Sequence, residues 1–378
     1  MMARLTGSGQ DEMADGEAKA GAAGFTRWIV LLLCGLPVFW MAWIAVFAVL
    51  PGPGGGAVIE VVIPRASGLT RIGEILAEQG IVRDSSRFSM LALLTGKAKR
   101  LQAGEYALPT DQTPLQILAL LATGKVLARP VTIPEGVDLP RIADILAADG
   151  WVEKDSFLAL ATDPVFIRGL GVQATTLEGY LFPDTYYLSR GQQDVRSIIG
   201  MMVARRNKVF AEICAGRPLP PGFSRHDVLT LASIVEKETA QASERPLIAR
   251  VFLNRLEKGM RLQADPTVAY GRTDFQGRLT RRDLETNTPY NTYVIEGLPP
   301  GPIGNPGRAA IEAVLEPADA PYLFFVSKND GTHFFSESLD EHNIAVGRYQ
   351  KSGQDVSPES DCFSDCAGAE PITPQARK

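Results

Sequence analysis

The most uniform stretch of the chain is Trp28 to Leu50, 23 residues without a charge. At 1.5 Å rise per residue such a run crosses a hydrocarbon core of about 30 Å, which predicts one transmembrane helix over 28–50. A cleaved signal peptide normally has a shorter apolar region, about 7–15 residues. Lys19 and Arg27 before the run, against Arg65 behind it, predict an N-terminus inside, with 1–27 as a cytoplasmic tail. PGPGGG at 51–56 neither extends a helix nor buries a side chain, so it reads as a linker.

Beyond the linker the pattern repeats. VVIPRASGLTRIGEILAEQGIV at 61–82 aligns without gaps to VTIPEGVDLPRIADILAADGWV at 131–152, with eleven of the 22 positions identical. Each copy predicts a short β-branched strand ending at Pro64 or Pro134, a turn, and a helix. Ile72, Ile75 and Leu76, or Ile142, Ile145 and Leu146, share one helix face, and Gly80 or Gly150 closes it. Between the copies, 101–109 predicts a strand and 113–126 a helix stopped at Gly124. Further on come a helix near 193–215, a Pro-rich hinge at 216–224, and a capping box of Ser224 and Asp227 opening a helix through VLTLASIVEKETA. Ser243–Arg245 predicts the cap of a second helix ending at Gly259, and 322–335 predicts a closing strand and loop. The polar stretch 352–378 predicts disorder.

Composition narrows the function classes. With 45% apolar and 21% charged residues the chain folds, and 38 Lys+Arg against 43 Asp+Glu excludes a strongly basic nucleic-acid binder. Cys34, Cys214, Cys362 and Cys366 form no disulfide scaffold and no zinc-spaced cluster. Cys362 and Cys366 could pair with each other or be incidental thiols. His226, His333 and His342 are too scattered to argue a metal site, no nucleotide loop or Ser/His/Asp triad is visible, and no cofactor is expected.

The candidate chemistry lies on the helix after Ser224. Its apolar positions Val228, Leu231, Ala232 and Val235 fall within about 100° of arc, which predicts a buried helix, with Glu236 and Glu238 on opposite flanks. Glu236 stands over the small Ala232 and Ser233, and Glu238 over the bulky Ile234 and Val235, so Glu236 leaves more room for a ligand. Such an acid either pairs with a cation and is structural, or stays poorly solvated and protonated and serves as a general acid. The loops at 261–271 and 281–307 are dense in Gln, Asp, Asn, Thr and Tyr, which suits a saccharide groove. Asp265, Asp283 and Asn291 could equally cap turns, and Tyr270 and Tyr290 could fill a core.

LEGYLFPDTY at 177–186, LASIVEKETA at 231–240, NRLEKGMRLQADPTVAYG at 254–271, TPYNTYVIEGLPPGPIGNPG at 288–307 and GTHFFS at 331–336 together resemble the endolytic murein transglycosylase, or YceG-like, family. The resemblance implies an α+β fold: a single N-terminal transmembrane helix, a small LysM-like α+β domain (57–130), then a larger α+β catalytic domain (131–351). It implies a lytic transglycosylase that cuts the β-1,4 bond between N-acetylmuramic acid and N-acetylglucosamine inside nascent peptidoglycan strands, leaves a 1,6-anhydromuramyl end and so terminates elongation. It assigns the acid to the glutamate of ASIVEKE, taken as Glu236, with Glu178, Gln263, Asp265, Tyr290 and Asn291 as substrate-binding candidates. Peptidoglycan strands and the synthases of the elongation machinery are the implied partners, and the bacterial inner membrane with the catalytic part in the periplasm is the implied location. A membrane-tethered peptidoglycan-binding or scaffold protein without catalysis, and a water-using muramidase, are the competing readings.

Overall fold

The structure, a computed structural model, describes residues 36, 38–272, 275 and 277–351. The expected tail 1–27, residues 28–35 and 37 of the expected span, and the tail 352–378 with Cys362 and Cys366 lie outside the described residues. Two compact units are distinguished. The first comprises residues 1–134, 139–176 and 183–204, and the second residues 135–138, 177–182 and 205–378.

In the first unit residues 38–49 are helical (α1). Twelve residues rise about 18 Å, short of a bilayer core, and among the described residues no helix is long and apolar enough to cross a membrane. Ile44, Phe47 and Ala48 of α1 enter the core, while Val38, Phe39, Trp40, Met41, Trp43, Val46 and Val49 stay exposed. Strand β1 (Val58–Ile63), helices α2 (Leu69–Glu78) and α3 (Ser85–Leu94), and strand β2 (Gly104–Pro109) follow, with β1 and β2 antiparallel from Val58 opposite Pro109 to Ile63 opposite Gly104. Helix α4 (Pro114–Thr123) starts at a Thr113–Gln116 capping box and stops at Gly124, whose φ of +67° is left-handed as a helix-ending glycine requires.

The second copy repeats this order: β3 (Arg129–Thr132), α5 (Leu139–Ala148), α6 (Lys154–Ala161), the short α7 (Pro164–Gly169), and β4 (Thr185–Leu188) antiparallel to β3. Each copy is thus strand, helix, helix, strand, with one extra helical turn in the second. The equivalence reaches side chains, since Ile72 and Leu76 are buried as are Ile142 and Leu146, while Ile75 and Ile145 are half-buried in both. A boundary at residue 131 differs from this division. Because β3 pairs with a strand 50 residues downstream, and Arg129 reaches Glu60 (2.8 Å) and the buried Glu105 (3.0 Å), the second copy belongs with the first.

Helix α8 (Val195–Ile213) carries the chain into the second unit. There α9 (Arg225–Glu238) begins at the expected box: Ser224 Oγ accepts from the Asp227 N–H, and Asp227 accepts from the Ser224 N–H. Positions Val228 to Val235 are buried all round, so α9 is the axis of this core. Helix α10 (Arg245–Glu257) starts within the expected 243–245 region with Glu244 as its N-cap, whose carboxylate makes no cap bond and is taken by the N–H and Nδ1 of His333. Short α11 (Asp265–Ala269) packs on α9, α12 (Arg281–Glu285) follows, and α13 (Arg308–Leu315) packs on both α9 and α10. The closing segment is a hairpin, β5 (Phe324–Ser327) with β6 (His333–Ser336), where one strand and a loop were expected, and α14 (Leu339–Val346) covers it. Among the described residues, three two-stranded antiparallel sheets and many helices make an α+β fold.

Candidate active site

The last turn of α9 carries two glutamates in opposed surroundings. Glu236 Oε1 accepts from Arg245 Nη2 at 2.8 Å, Oε2 accepts from the Gly307 N–H at 2.9 Å, and 5% of the side chain is exposed. Burial pushes its pKa up, while the Gly307 N–H and Arg245 pull the other way. Gly307 is the N-cap of α13, so the carboxylate sits at the positive end of a helix dipole. This is an acid paired with a cation, the condition under which the sequence argument reads it as structural.

Glu238, the final residue of α9, has no hydrogen bond or ion pair to any described residue. Burial, followed by the neighbouring Asp265, pushes its pKa up to about 8, and Arg255 opposes them. It opens onto a polar cavity of about 490 Å³ shared with Arg255, Gln263, Asp265, Tyr293 and Phe324. Tyr293 Oη donates to Asp265 Oδ1 at 2.6 Å. Arg255 is committed to the carbonyls of Leu323 (2.7 Å) and Leu262 (2.6 Å). Gln263 has a left-handed backbone, φ +48°, a costly conformation for a side-chain-bearing residue that concentrates at functional sites.

The other candidates separate. Glu178 is 3% exposed and accepts from Tyr270 Oη (3.1 Å) and Asn305 Nδ2 (3.0 Å), so it is a buried anchor with no surface to offer a sugar. Asn305, fully buried, also joins the loop 302–307 to the backbone of Gly136, Val137 and Leu181. Tyr290 lies with Tyr270, ring centroids 4.8 Å apart, in a second cavity of about 400 Å³ bordered by Arg272, Arg282, Thr286 and Thr288. Asn291, 1% exposed, donates to the carbonyls of Asp283, Leu284 and Thr286 and accepts from the Tyr293 N–H, so it serves the backbone as the turn reading allowed. The structure therefore brings Gln263 and Asp265 together with Glu238, places Asn291 with Tyr290 at the second cavity, and keeps Glu178 out of both.

Sequence reasoning passed over Glu238, Tyr293 and Arg255. The signal for Glu238 is its position: a carboxyl at the last residue of a helix faces the negative end of the dipole, which favours the protonated form.

Residues 61–348 match the model of the YceG-like family. The chain belongs to the YceG-like family. The endolytic murein transglycosylase of Bacillus subtilis is 34% identical over 309 residues, covering 78% of this chain and 85% of that protein. Its counterpart from Streptococcus pneumoniae strain R6 is 30% identical over 331 residues, and the matched part is 59% of that longer protein's length. The crystal structure of a YceG-like protein of Listeria monocytogenes superposes with a TM-score of 0.52 at 34% identity, covering 77% of this chain and all of the other. The matched family segment extends through parts of both units and contains every candidate site residue.

Proposed function

We propose that this protein is an endolytic murein transglycosylase, a lyase that cuts peptidoglycan strands between N-acetylmuramic acid and N-acetylglucosamine, with Glu238 as its acid. Membership in the YceG-like family and two relatives of that name support the reaction. The observation that carries the acid is a carboxyl without a hydrogen bond or ion pair to any described residue that opens onto a polar cavity, with burial pushing its pKa up to about 8. Glu238 donates its proton to the glycosidic oxygen as the bond from that oxygen to C1 breaks. The 6-hydroxyl of the muramic acid then bonds to C1 and returns a proton to the carboxylate, which restores the enzyme. Ring closure by the sugar's own hydroxyl replaces the nucleophilic carboxylate about 5–5.5 Å away, or the base at wider spacing, of ordinary glycosidases. Burial keeps the acid charged with its proton, and Gln263 and Tyr293 line the wall where charge develops on the sugar.

The remaining features fit the same reading. The exposed apolar positions of α1 suit a helix that continues into a bilayer anchor, which would hold the two units on the periplasmic face of the inner membrane. The strand, helix, helix, strand order of each copy suits LysM-like modules that grip the glycan near the synthases that extend it.

The test is the full chain in detergent acting on intact sacculi, with products identified by mass. Wild type releases muropeptides with anhydro ends, each one water lighter than a reducing end, and Glu238→Gln releases none while remaining folded and no less stable than wild type. Reducing ends would make the protein a muramidase. Undiminished release by Glu238→Gln would remove the acid from this position.

A further inference from the structure

The wall of the cavity that faces Glu238 is built more rigidly than a sugar-binding loop requires. The segments 263–267 and 291–293 are stitched together behind it. The Gln263 N–H donates to the Thr292 carbonyl (3.1 Å), the Ala264 N–H donates to Thr292 Oγ1 (2.9 Å), and Thr292 Oγ1 lies 2.8 Å from Thr267 Oγ1. Tyr293 is held at both ends of its backbone, its N–H on Asn291 Oδ1 (3.0 Å) and its carbonyl on Arg261 Nη1 (3.2 Å). All of this fixes one short contact, Tyr293 Oη to Asp265 Oδ1 at 2.6 Å, on the wall that Glu238 shares. Burial, Asp265 and Glu238 all push the phenol well above its ordinary range, so Tyr293 remains a proton donor to Asp265.

We propose that Asp265, aimed by Tyr293, is a positioning residue of the lytic reaction: its negative charge acts through Glu238, holding the proton on that carboxyl until a glycosidic oxygen takes it. The inference rests on Glu238 being the acid. A like charge close to a carboxyl disfavours ionisation of that carboxyl. The other charged or titratable groups around the cavity are Arg255 on α10, His333 on β6 and His342 on α14. Arg255 is tied to two carbonyls and forms no ion pair with either acid among the described residues, and burial with Arg255 lowers the His342 pKa and so keeps that ring neutral. Asp265 is therefore the anion set against Glu238, and the Tyr293 hydroxyl stops it from swinging to solvent or to Arg255.

The experiment is the pH dependence of kcat and KM for the full chain on sacculi. Wild-type activity falls as pH rises and Glu238 loses its proton. Removing the neighbouring charge lowers the Glu238 pKa, so in Asp265→Asn this alkaline limb moves to lower pH by about one unit with KM little changed. Asp265→Glu brings the limb back toward wild type, and Tyr293→Phe moves it in the same direction as Asp265→Asn by less. A raised KM with the limb in place would make Asp265 a direct sugar contact and overturn the proposal. If Asp265→Asn fails to fold, Tyr293→Phe decides alone: an unmoved limb overturns the proposal. Failure of the underlying assignment is separately visible, because Glu238→Gln would then remain active.

Discussion

Glu236 and Glu238 share one helical turn, yet one is consumed by the fold and the other is left to solvent and ligand. Glu236 faces a loop: Arg245 and the Gly307 N–H saturate it, and just below it Ser233 Oγ accepts from the Ile303 N–H at 3.0 Å. Glu238 faces a cavity and has no hydrogen-bond or ion-pair partner among the described residues. The difference comes from what fills the space beside the helix. Small side chains at Ala232 and Ser233 leave room, and the glycine-rich segment 301–307 takes it: a Cβ on Gly304 would lie 2.6 Å from the Gly136 carbonyl, so backbone packs where a ligand was expected. At the helix end the chain turns away into an extended Thr239, and Glu238 is left facing the cavity rather than a partner segment. Room beside a carboxyl thus shows that something packs there, without saying what.

The comparison breaks most visibly in turnover. Glu238→Gln is expected to lower kcat by about 10²–10⁴-fold, the range a positioned general acid supplies, with the folded state no less stable than wild type at pH 6. Glu236→Gln is expected to lower stability and to keep the anhydro-forming activity while the protein is folded.

The two acids also diverge in the pH dependence of stability. Glu238 has a folded pKa of about 8 against an ordinary 4.5, so the folded state binds its proton more tightly than the unfolded state does. That contribution is complete below about pH 4.5 and is lost as pH rises through about 8. Wild type should lose about 1.4 kcal/mol per pH unit relative to Glu238→Gln across that window, read from denaturant melts at several pH values. Parallel curves for the two proteins would mean that the Glu238 pKa is ordinary.

Arg245→Met leaves Glu236 buried without its cation and should cost about 3–5 kcal/mol. The same change should leave the alkaline limb of the rate profile in place, because Arg245 does not line the cavity of Glu238. The smallest effect is expected for Ser233→Ala. It leaves the buried Ile303 N–H without an acceptor, at about 1–2 kcal/mol in a denaturant melt, with kcat unchanged in the folded fraction.

Much of this molecule was legible in its chain. The repeat was visible because a buried helix face tolerates little change, and Ile72 with Leu76 matches Ile142 with Leu146 in burial as in sequence. The Ser224 box and the Gly124 stop were legible because caps are local. The start of α10 near 243–245 was legible too, but the use of its Glu244 was not, because His333 engages that carboxylate from a strand some 90 residues away. The same limit governed the site. The pattern of α9 placed two glutamates at its end, but which of them is paired depends on Arg245 and Gly307, whose approach no helical periodicity encodes.

The Glu238 proton can be observed without any substrate. A carbon-13 carboxyl titration of the full chain in detergent should reveal one glutamate still protonated at pH 7 that titrates near 8, absent from Glu238→Gln and retained in Glu236→Gln. A signal that survives in Glu238→Gln and vanishes in Glu236→Gln, or no protonated carboxyl at pH 7, would contradict the account.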